Sequence, residues 1–416
     1  MELVPGISAH FVQSKKFKTN KITIRFTAPL SLETIAGRML SASMLETANQ
    51  AYPTSQAFRR YLASLYGTDI STSAYRRGQA HILDLTFTYV RDDFLSKKNV
   101  LTSRILELVK QTLFAPLVQD GAFEPALFEI ERKQLLASLA TDMDDSFYFA
   151  HKELDSLFFH DERLQLRYSD LRNSISNESP ESSYTCFQDA LKNDRIDFFF
   201  LGDFNEVEIT ESLKSLPFTA RENGVTIQYH QSYSNVLREG MVQRNVGQSI
   251  LELGYHSPVK YGDDEHLPML VMNGLLGEFA HSKLFTNVRE NAGIAYTVSS
   301  QLDLFSGLLR MYVGIDRENR NQARKMMNHQ LLDLKKGNFT DFELEQTKEM
   351  IRRSLLMAQD NQQTLVERVY LNALLGKSSF DIDRLVAKLE SVDKEAVCKA
   401  ANSLKLQAIY FMEGVE

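Results

Sequence analysis

Two short runs carry side chains whose types and spacing could do chemistry. In Ser43-Met-Leu-Glu46-Thr47, positions 43, 46 and 47 stand i, i+3 and i+4 apart, so on a helix they share one face. The inverted zinc motif H-x-x-E-H uses such a face to present two imidazole ligands and a general-base glutamate. Here hydroxyls occupy both ligand positions, and neutral serine and threonine are poor zinc ligands. Read alone, the run is a helix face with a solvated or pocket-lining Glu46. The second run is Arg289-Glu-Asn-Ala-Gly-Ile-Ala-Tyr296. Arg289 is expected to end a helix, Gly293 to permit the reversal, and Tyr296 to start a strand. A guanidinium and a phenol so placed could face one space, where two fixed donors would stabilise a developing oxyanion. A helix-capping arginine beside a core tyrosine explains the same spacing.

Other titratable groups offer less. His256 and Asp263-Asp-Glu-His266 contain possible ligand types, but Asp263-Asp-Glu precedes a helix and suits its N-terminal dipole. His151 with Glu153, and His160 with Asp161, read as surface residues. Glu343–Glu349 and Lys335-Lys336 read as solvated faces. No P-loop, no G-x-G-x-x-G and no nucleophile elbow occurs. Cys186 and Cys398 lie far apart without a C-x-x-C, and are expected to be buried thiols in a reducing compartment.

These residues must be positioned by a chain of 416 residues, 43% apolar and 24% charged, a composition that excludes disordered, collagen-like and coiled-coil classes. Such a length predicts roughly two to three domains. The net charge of −7 argues against a general nucleic-acid surface. No run reaches the roughly 18 apolar residues of a membrane span, and the start lacks a basic region followed by an apolar core. A soluble, cytoplasmic protein is expected.

The alternation in Asn20–Pro29 predicts a strand, and 32–49 and 55–65 predict helices. Strands follow near Asp69–Ala74 and Ala80–Val90, then helices over 96–114, 124–142, 146–158 and 182–192, and a strand over Arg195–Gly202. The second half repeats the order. Strands are expected at Ser249–Tyr255, Ile294–Gln301, Gly307–Ile315 and Gln407–Gly414. Helices are expected over 265–277, 281–290, 319–335, 341–360, 364–375 and 393–403. Tyr66–Val90 aligns with Asn291–Ile315, and Phe198–Gly202 with Tyr410–Gly414, at offsets of about 210 to 225 residues. The fold class is therefore α+β, with two tandem homologous domains, each a mixed, mostly antiparallel sheet backed by helices. The expected division is 1–216, a linker over 217–246, and 247–416.

At this point the chain resembles the pitrilysin/insulinase family of zinc peptidases, which includes the mitochondrial processing peptidases. Ala42-Ser43-Met-Leu-Glu46-Thr47 stands where family enzymes carry A-H-F-L-E-H, and Tyr66–Ala74 resembles the edge-strand segment that follows. Phe128-Glu-Ile-Glu131-Arg-Lys-Gln resembles the helix that supplies the third zinc ligand, with Glu131 as the match. Asn273-Gly-Leu-Leu-Gly277, Ser282-Lys-Leu-Phe285 and Arg289–Ser300 match the family's most recognisable run. The resemblance implies a clam-shell of two facing domains, and a substrate peptide that adds as a strand to a sheet edge. It implies that Arg289 and Tyr296 hold the scissile carbonyl. The departures imply that Ser43, Glu46, Thr47 and Glu131 form a dismantled metal site whose two carboxylates are solvated or hydrogen-bonded. No metal or other cofactor is expected in this chain, and zinc is expected in a partner.

The implied role is the non-catalytic subunit of a heterodimeric zinc peptidase acting on peptides or unfolded protein, with homodimerisation as the other arrangement. Lys15-Lys-Phe-Lys-Thr19 and Leu65-Tyr-Gly67 resemble a degenerate bacterial subgroup associated with peptide maturation or with modification of elongation factor P. A proteolytically inactive peptide-binding or scaffold protein of the same fold is the alternative, and an enzyme using another metal geometry is a third reading.

Overall fold

The computed structural model describes residues 1–96, 100–222, 224–376 and 382–415. Part of the helix expected over 96–114 falls on 97–99, outside the described residues; Val100–Phe114 is helical. The chain forms two compact units. One comprises Met1–Ala140, Ser169–Ile227 and Gln362–Tyr370, and the other Thr141–Tyr168, Gln228–Asn361 and Leu371–Glu416.

Six strands of the first unit lie in the order Glu2–Val4, Ile7–Gln13, Arg195–Gly202, Thr19–Pro29, Ala80–Val90, Asp69–Arg77. Ile7–Gln13 runs parallel to Arg195–Gly202, and the other neighbours are antiparallel. Five strands of the second unit lie in the order Arg238–Arg244, Lys405–Gly414, Ser249–His256, Leu308–Ile315, Ala295–Asp303. Here too a single pair, Arg238–Arg244 with Lys405–Gly414, is parallel. From Ile7–Gln13 onward the two orders correspond strand for strand, which is the duplicated α+β architecture. The alternation of the sequence had not revealed Ile7–Gln13 or Arg238–Arg244. The latter is an edge strand with no fully buried side chain, so it carries little apolar alternation. It lies within the segment expected to be a linker.

The apolar core of the first unit occupies one face of its sheet. Ile22, Ile24 and Phe26 alternate along the central strand and join Leu83, Leu85, Phe87, Phe198 and Phe200 under Ile105, Leu108 and Val109 of Val100–Phe114. Each such buried side chain contributes about 1.5–3 kcal/mol. The opposite face is equally buried but polar, with Thr23, Arg25, Thr27, Asp84 and Asp197 beneath the helical segment Gln362–Tyr370. Arg25 is fully buried. Its Nε donates to Asp84 Oδ1 at 2.7 Å and its Nη2 to Asp84 Oδ2 at 2.6 Å. It also pairs with Glu367, which Arg77 reaches at 2.5 Å, and its guanidinium lies 4.4 Å from the Tyr370 ring centre. Burial opposes the charge on Arg25, but the Asp84 and Glu367 carboxylates more than offset it and raise its pKa.

The second unit repeats the device with the charges rearranged. Leu251, Leu253, Met311, Val313, Ile409 and Phe411 face its core, while the other face carries the fully buried Glu252 under the helix Ser146–Phe158. His151 pairs with Glu252, and Arg310 Nη2 donates to Asp155 at 2.6 Å while its Nε lies 3.4 Å from Glu252. Gly254 lets that helix approach: a Cβ there would stand 3.1 Å from Phe158 and 3.5 Å from Leu154.

Ser146–Phe158 thus packs on the second sheet and Gln362–Tyr370 on the first, so neither unit is a contiguous stretch of 1–216 or 247–416. His151 is not the surface residue expected: it is a partner of a buried carboxylate. Cys186 and Cys398 are half-buried free thiols rather than fully buried ones. Among the described residues, no helix is long and apolar enough to cross a membrane.

Removing Asp84 would take away the carboxylate that holds both Nε and Nη2 of the buried Arg25. Asp84→Ala is expected to cost about 3–5 kcal/mol, the penalty for breaking a buried ion pair from one side. Urea unfolding of the purified chain measures it, and a loss below about 1 kcal/mol would show that this pair does not anchor the sheet.

Candidate functional site

The helix Ile35–Thr47 packs its apolar side, including Leu40, Ala42, Met44 and Leu45, into the first unit. Ser43, Glu46 and Thr47 stand on the less buried side. The helix Pro125–Asp144 brings Glu131 to them. Thr47 Oγ1 lies 2.9 Å from the Ser43 carbonyl and 3.0 Å from Glu131 Oε1, so its single proton serves either acceptor. Ser43 turns its hydroxyl back to the Met39 carbonyl at 3.4 Å. Glu46 Oε2 accepts two hydrogen bonds, from the Thr72 backbone N–H at 2.8 Å and the Thr72 hydroxyl at 2.7 Å. Positions 84 residues apart along the chain thus meet in one place, and both carboxylates are hydrogen-bonded, as their mutual repulsion requires.

The chemistry of the donors does not fit zinc. No imidazole is present, both hydroxyls are engaged by carbonyl or carboxylate oxygens, and each carboxylate already has a protein donor. Among the described residues, no group of three or more His, Cys, Asp and Glu side chains is placed to hold a metal ion. Burial raises the Glu131 pKa above the usual carboxylate range; the Thr47 hydroxyl opposes this, and the Glu46 charge adds to it.

The second set of residues lies in the other unit. The expected helices over 265–277 and 281–290 form with a difference: His266–Asn273 is α-helical, but Gly274–Glu278 and Phe285–Asn291 are wider π-helical turns. Such turns are frequent at functional sites. Gly277 is the reason the first can lie so close to the edge strand Ala295–Asp303, since a Cβ there would meet the Ser300 backbone nitrogen at 2.6 Å. Arg289 sits in the last turn of Phe285–Asn291, over the Phe285 ring at 4.9 Å, with its side chain 45% exposed and its Nε 3.8 Å from Glu290. Gly293 then takes a positive φ of 63°, as the reversal demands. Tyr296 is 62% exposed, and its hydroxyl donates to Asp316 at 3.3 Å. The tyrosine is therefore no core residue, and the arginine is held by weak, solvent-facing contacts.

Thr72 and Asp316 were not legible as site residues. Thr72 stands 26 residues from Glu46 and Asp316 stands 20 from Tyr296, and no helical or strand periodicity links those spacings. An edge strand after the first helix pair was the only available signal, and it does not say which backbone N–H would meet a carboxylate.

Residues 177–351 match the family model described as the peptidase M16 inactive domain. The chain is 28% identical over 412 residues to a Bacillus subtilis protein named "Probable inactive metalloprotease YmfF", covering 99% of this chain and 96% of that one. It is similar to the crystal structure of a conserved protein from Enterococcus faecalis, with a TM-score of 0.95, 33% identity, and coverage of 100% of this chain and 98% of the other. A 23% identity over 265 residues links it to the antilisterial bacteriocin subtilosin biosynthesis protein AlbE of Bacillus subtilis, covering 61% of this chain and 64% of that one.

Two outcomes are expected at the Thr47–Glu131 contact. A carboxyl with a raised folded pKa costs stability while ionised, and that cost disappears as pH falls through its folded pKa. Glu131→Gln should therefore raise the melting temperature near neutral pH, with the advantage shrinking as the pH falls through the folded pKa of Glu131; a variant equally stable or less stable at neutral pH would contradict the assignment. Separately, Ser43→His with Thr47→His places two imidazoles beside Glu131, so the double variant should retain stoichiometric zinc against a mild chelator while the parent chain does not. Failure of a correctly folded double variant to take up zinc would show that these positions do not converge as described.

Proposed function

We propose that this chain, a homologue of inactive M16 metalloproteases, is the non-catalytic, peptide-handling subunit of a peptidase whose zinc site lies in a homologous partner chain. The observation that carries the reading is the contrast between its two candidate sites. The degenerate zinc positions have no ligand set and are occupied by their own hydrogen bonds. The Arg289 and Tyr296 side chains, by contrast, are exposed and lightly held, at the head of an edge strand. A guanidinium and a phenol in that state can donate to a carbonyl oxygen as charge develops on it, and Asp316 orients the phenol until the substrate arrives. Hydrolysis itself is assigned to the partner.

The substrate is read as an extended peptide or unfolded protein, recognised through main-chain pairing. The likeness to the subtilosin biosynthesis protein supports peptide maturation as the setting, and modification of elongation factor P is the other setting the subgroup resemblance implies. An inactive peptide-holding scaffold is the second reading, favoured by the closed state of the Glu46 and Glu131 carboxylates.

Kinetics of the assembled complex separate the two. Tyr296→Phe keeps the ring and deletes one hydroxyl, while Arg289→Lys keeps the charge and loses the planar fork. Each should lower kcat and kcat/KM together, by roughly a hundredfold or more, with melting temperature and complex formation unchanged. Full activity of a normally assembled Tyr296→Phe complex would falsify the donor role. No proteolysis by this chain with any zinc-bearing homologue would favour the scaffold.

A further inference from the structure

The strand Asp69–Arg77 is one edge of the first sheet, and one of its outward backbone donors is already taken. Arg77 and Ala80 close the two-residue turn Gly78-Gln79. The closing pair of such a turn is hydrogen-bonded, and pairs alternate along an antiparallel ladder. The backbones of Tyr75, Ser73 and Ser71 therefore face Ala80–Val90, while those of Ala74, Thr72 and Ile70 face away from it. Thr72 is the middle one of these three, and its N–H donates to Glu46 Oε2 at 2.8 Å. The Thr72 hydroxyl adds a second bond to the same oxygen at 2.7 Å.

Glu46 has reason to hold this position. It is the penultimate residue of Ile35–Thr47, so its charge meets the negative end of the helix dipole. Glu131, held by Thr47, lies close enough to feel the same charge. Repelled from both, the carboxylate turns to the nearest donors, which belong to the sheet edge. An exposed strand edge is a template for another strand, and a carboxylate on its central N–H competes with any peptide that would pair there.

We infer that Glu46 caps the peptide-pairing edge Ile70–Ala74, so that an extended, unfolded polypeptide adds to this strand only by displacing the carboxylate from Thr72. This rests on the reading of the chain as a peptide-handling subunit, and it gives the degenerate glutamate a task that needs no metal. The cap leaves this edge of the first sheet closed to peptide, so that the substrate is directed to other edges. Recognition at the uncapped edge is by main chain and is tolerant of sequence.

The test uses the full chain without a partner and fluorescein-labelled β-casein as the unfolded polypeptide, with binding followed by fluorescence anisotropy. Glu46→Ala is expected to bind about tenfold tighter than the parent, as expected for removing a competitor that makes two charge-assisted hydrogen bonds. Thr72→Val, which keeps the backbone N–H but deletes one of the two bonds, should fall between them. Hydrogen exchange provides the structural readout: the Thr72 amide should exchange faster in free Glu46→Ala and be protected when casein is added. Equal affinity of parent and Glu46→Ala, or protection confined to Ala295–Asp303, would overturn the cap. Absence of casein binding by both chains would also overturn it, while leaving the donor role of Arg289 and Tyr296 to be judged by the kinetics of the complex.

Discussion

A buried charge at the centre of each sheet is the constraint on which the rest of the structure depends. Arg25 in the first sheet and Glu252 in the second occupy corresponding central strands and are fully buried. A lone charge there would be prohibitive, so each requires partners from above its sheet. Arg25 finds Asp84 on the next strand and Glu367 on Gln362–Tyr370. Glu252 finds Arg310 and His151, and Arg310 in turn holds Asp155. Each helical segment comes from the opposite half of the sequence. The polar face of each sheet therefore selects its covering helix by charge, where an apolar face would accept any amphipathic helix of the right size.

With one face committed to these pairs, the apolar core and the site share the other. Ile35–Thr47 lies on that side of the first sheet, its buried face fixed by Leu40, Ala42, Met44 and Leu45. The less buried face, with Ser43, Glu46 and Thr47, is thereby brought to the helix that carries Glu131 and to the edge strand that carries Thr72. With Ser43 and Thr47 at these positions, the place is filled by its own hydrogen bonds. Hydroxyls and one backbone amide supply the donors that two neighbouring carboxylates need, and the result is a self-satisfied polar cluster.

The second unit uses the corresponding position differently. The turn before its edge strand is loosened into π-helical geometry, Gly277 admits the strand closely, and the polar groups are turned outward. A duplicated fold thus carries one closed site and one open one. That asymmetry is what a subunit would need if its first half retains only the scaffold and its second half contributes to chemistry in a complex.

Much of this was legible in the chain itself. Alternation along Asn20–Pro29 and Ala80–Val90, helical spacing over 32–49, and the internal repeat specify local structure and duplication, because period and propensity are properties of neighbouring residues. The hydroxyls at positions 43 and 47 were equally plain, as was the glycine that reverses the chain before Tyr296. The edge strand Arg238–Arg244 leaves little trace in the sequence because none of its side chains is fully buried, and the exchange of Ser146–Phe158 and Gln362–Tyr370 leaves none because amphipathicity does not say which sheet a helix will cover. Tertiary structure alone decided that His151 would serve a buried carboxylate and that Glu46 would settle on the Thr72 amide. Both are pairings between distant segments, set by where unsatisfied charges and donors meet once the sheets have formed.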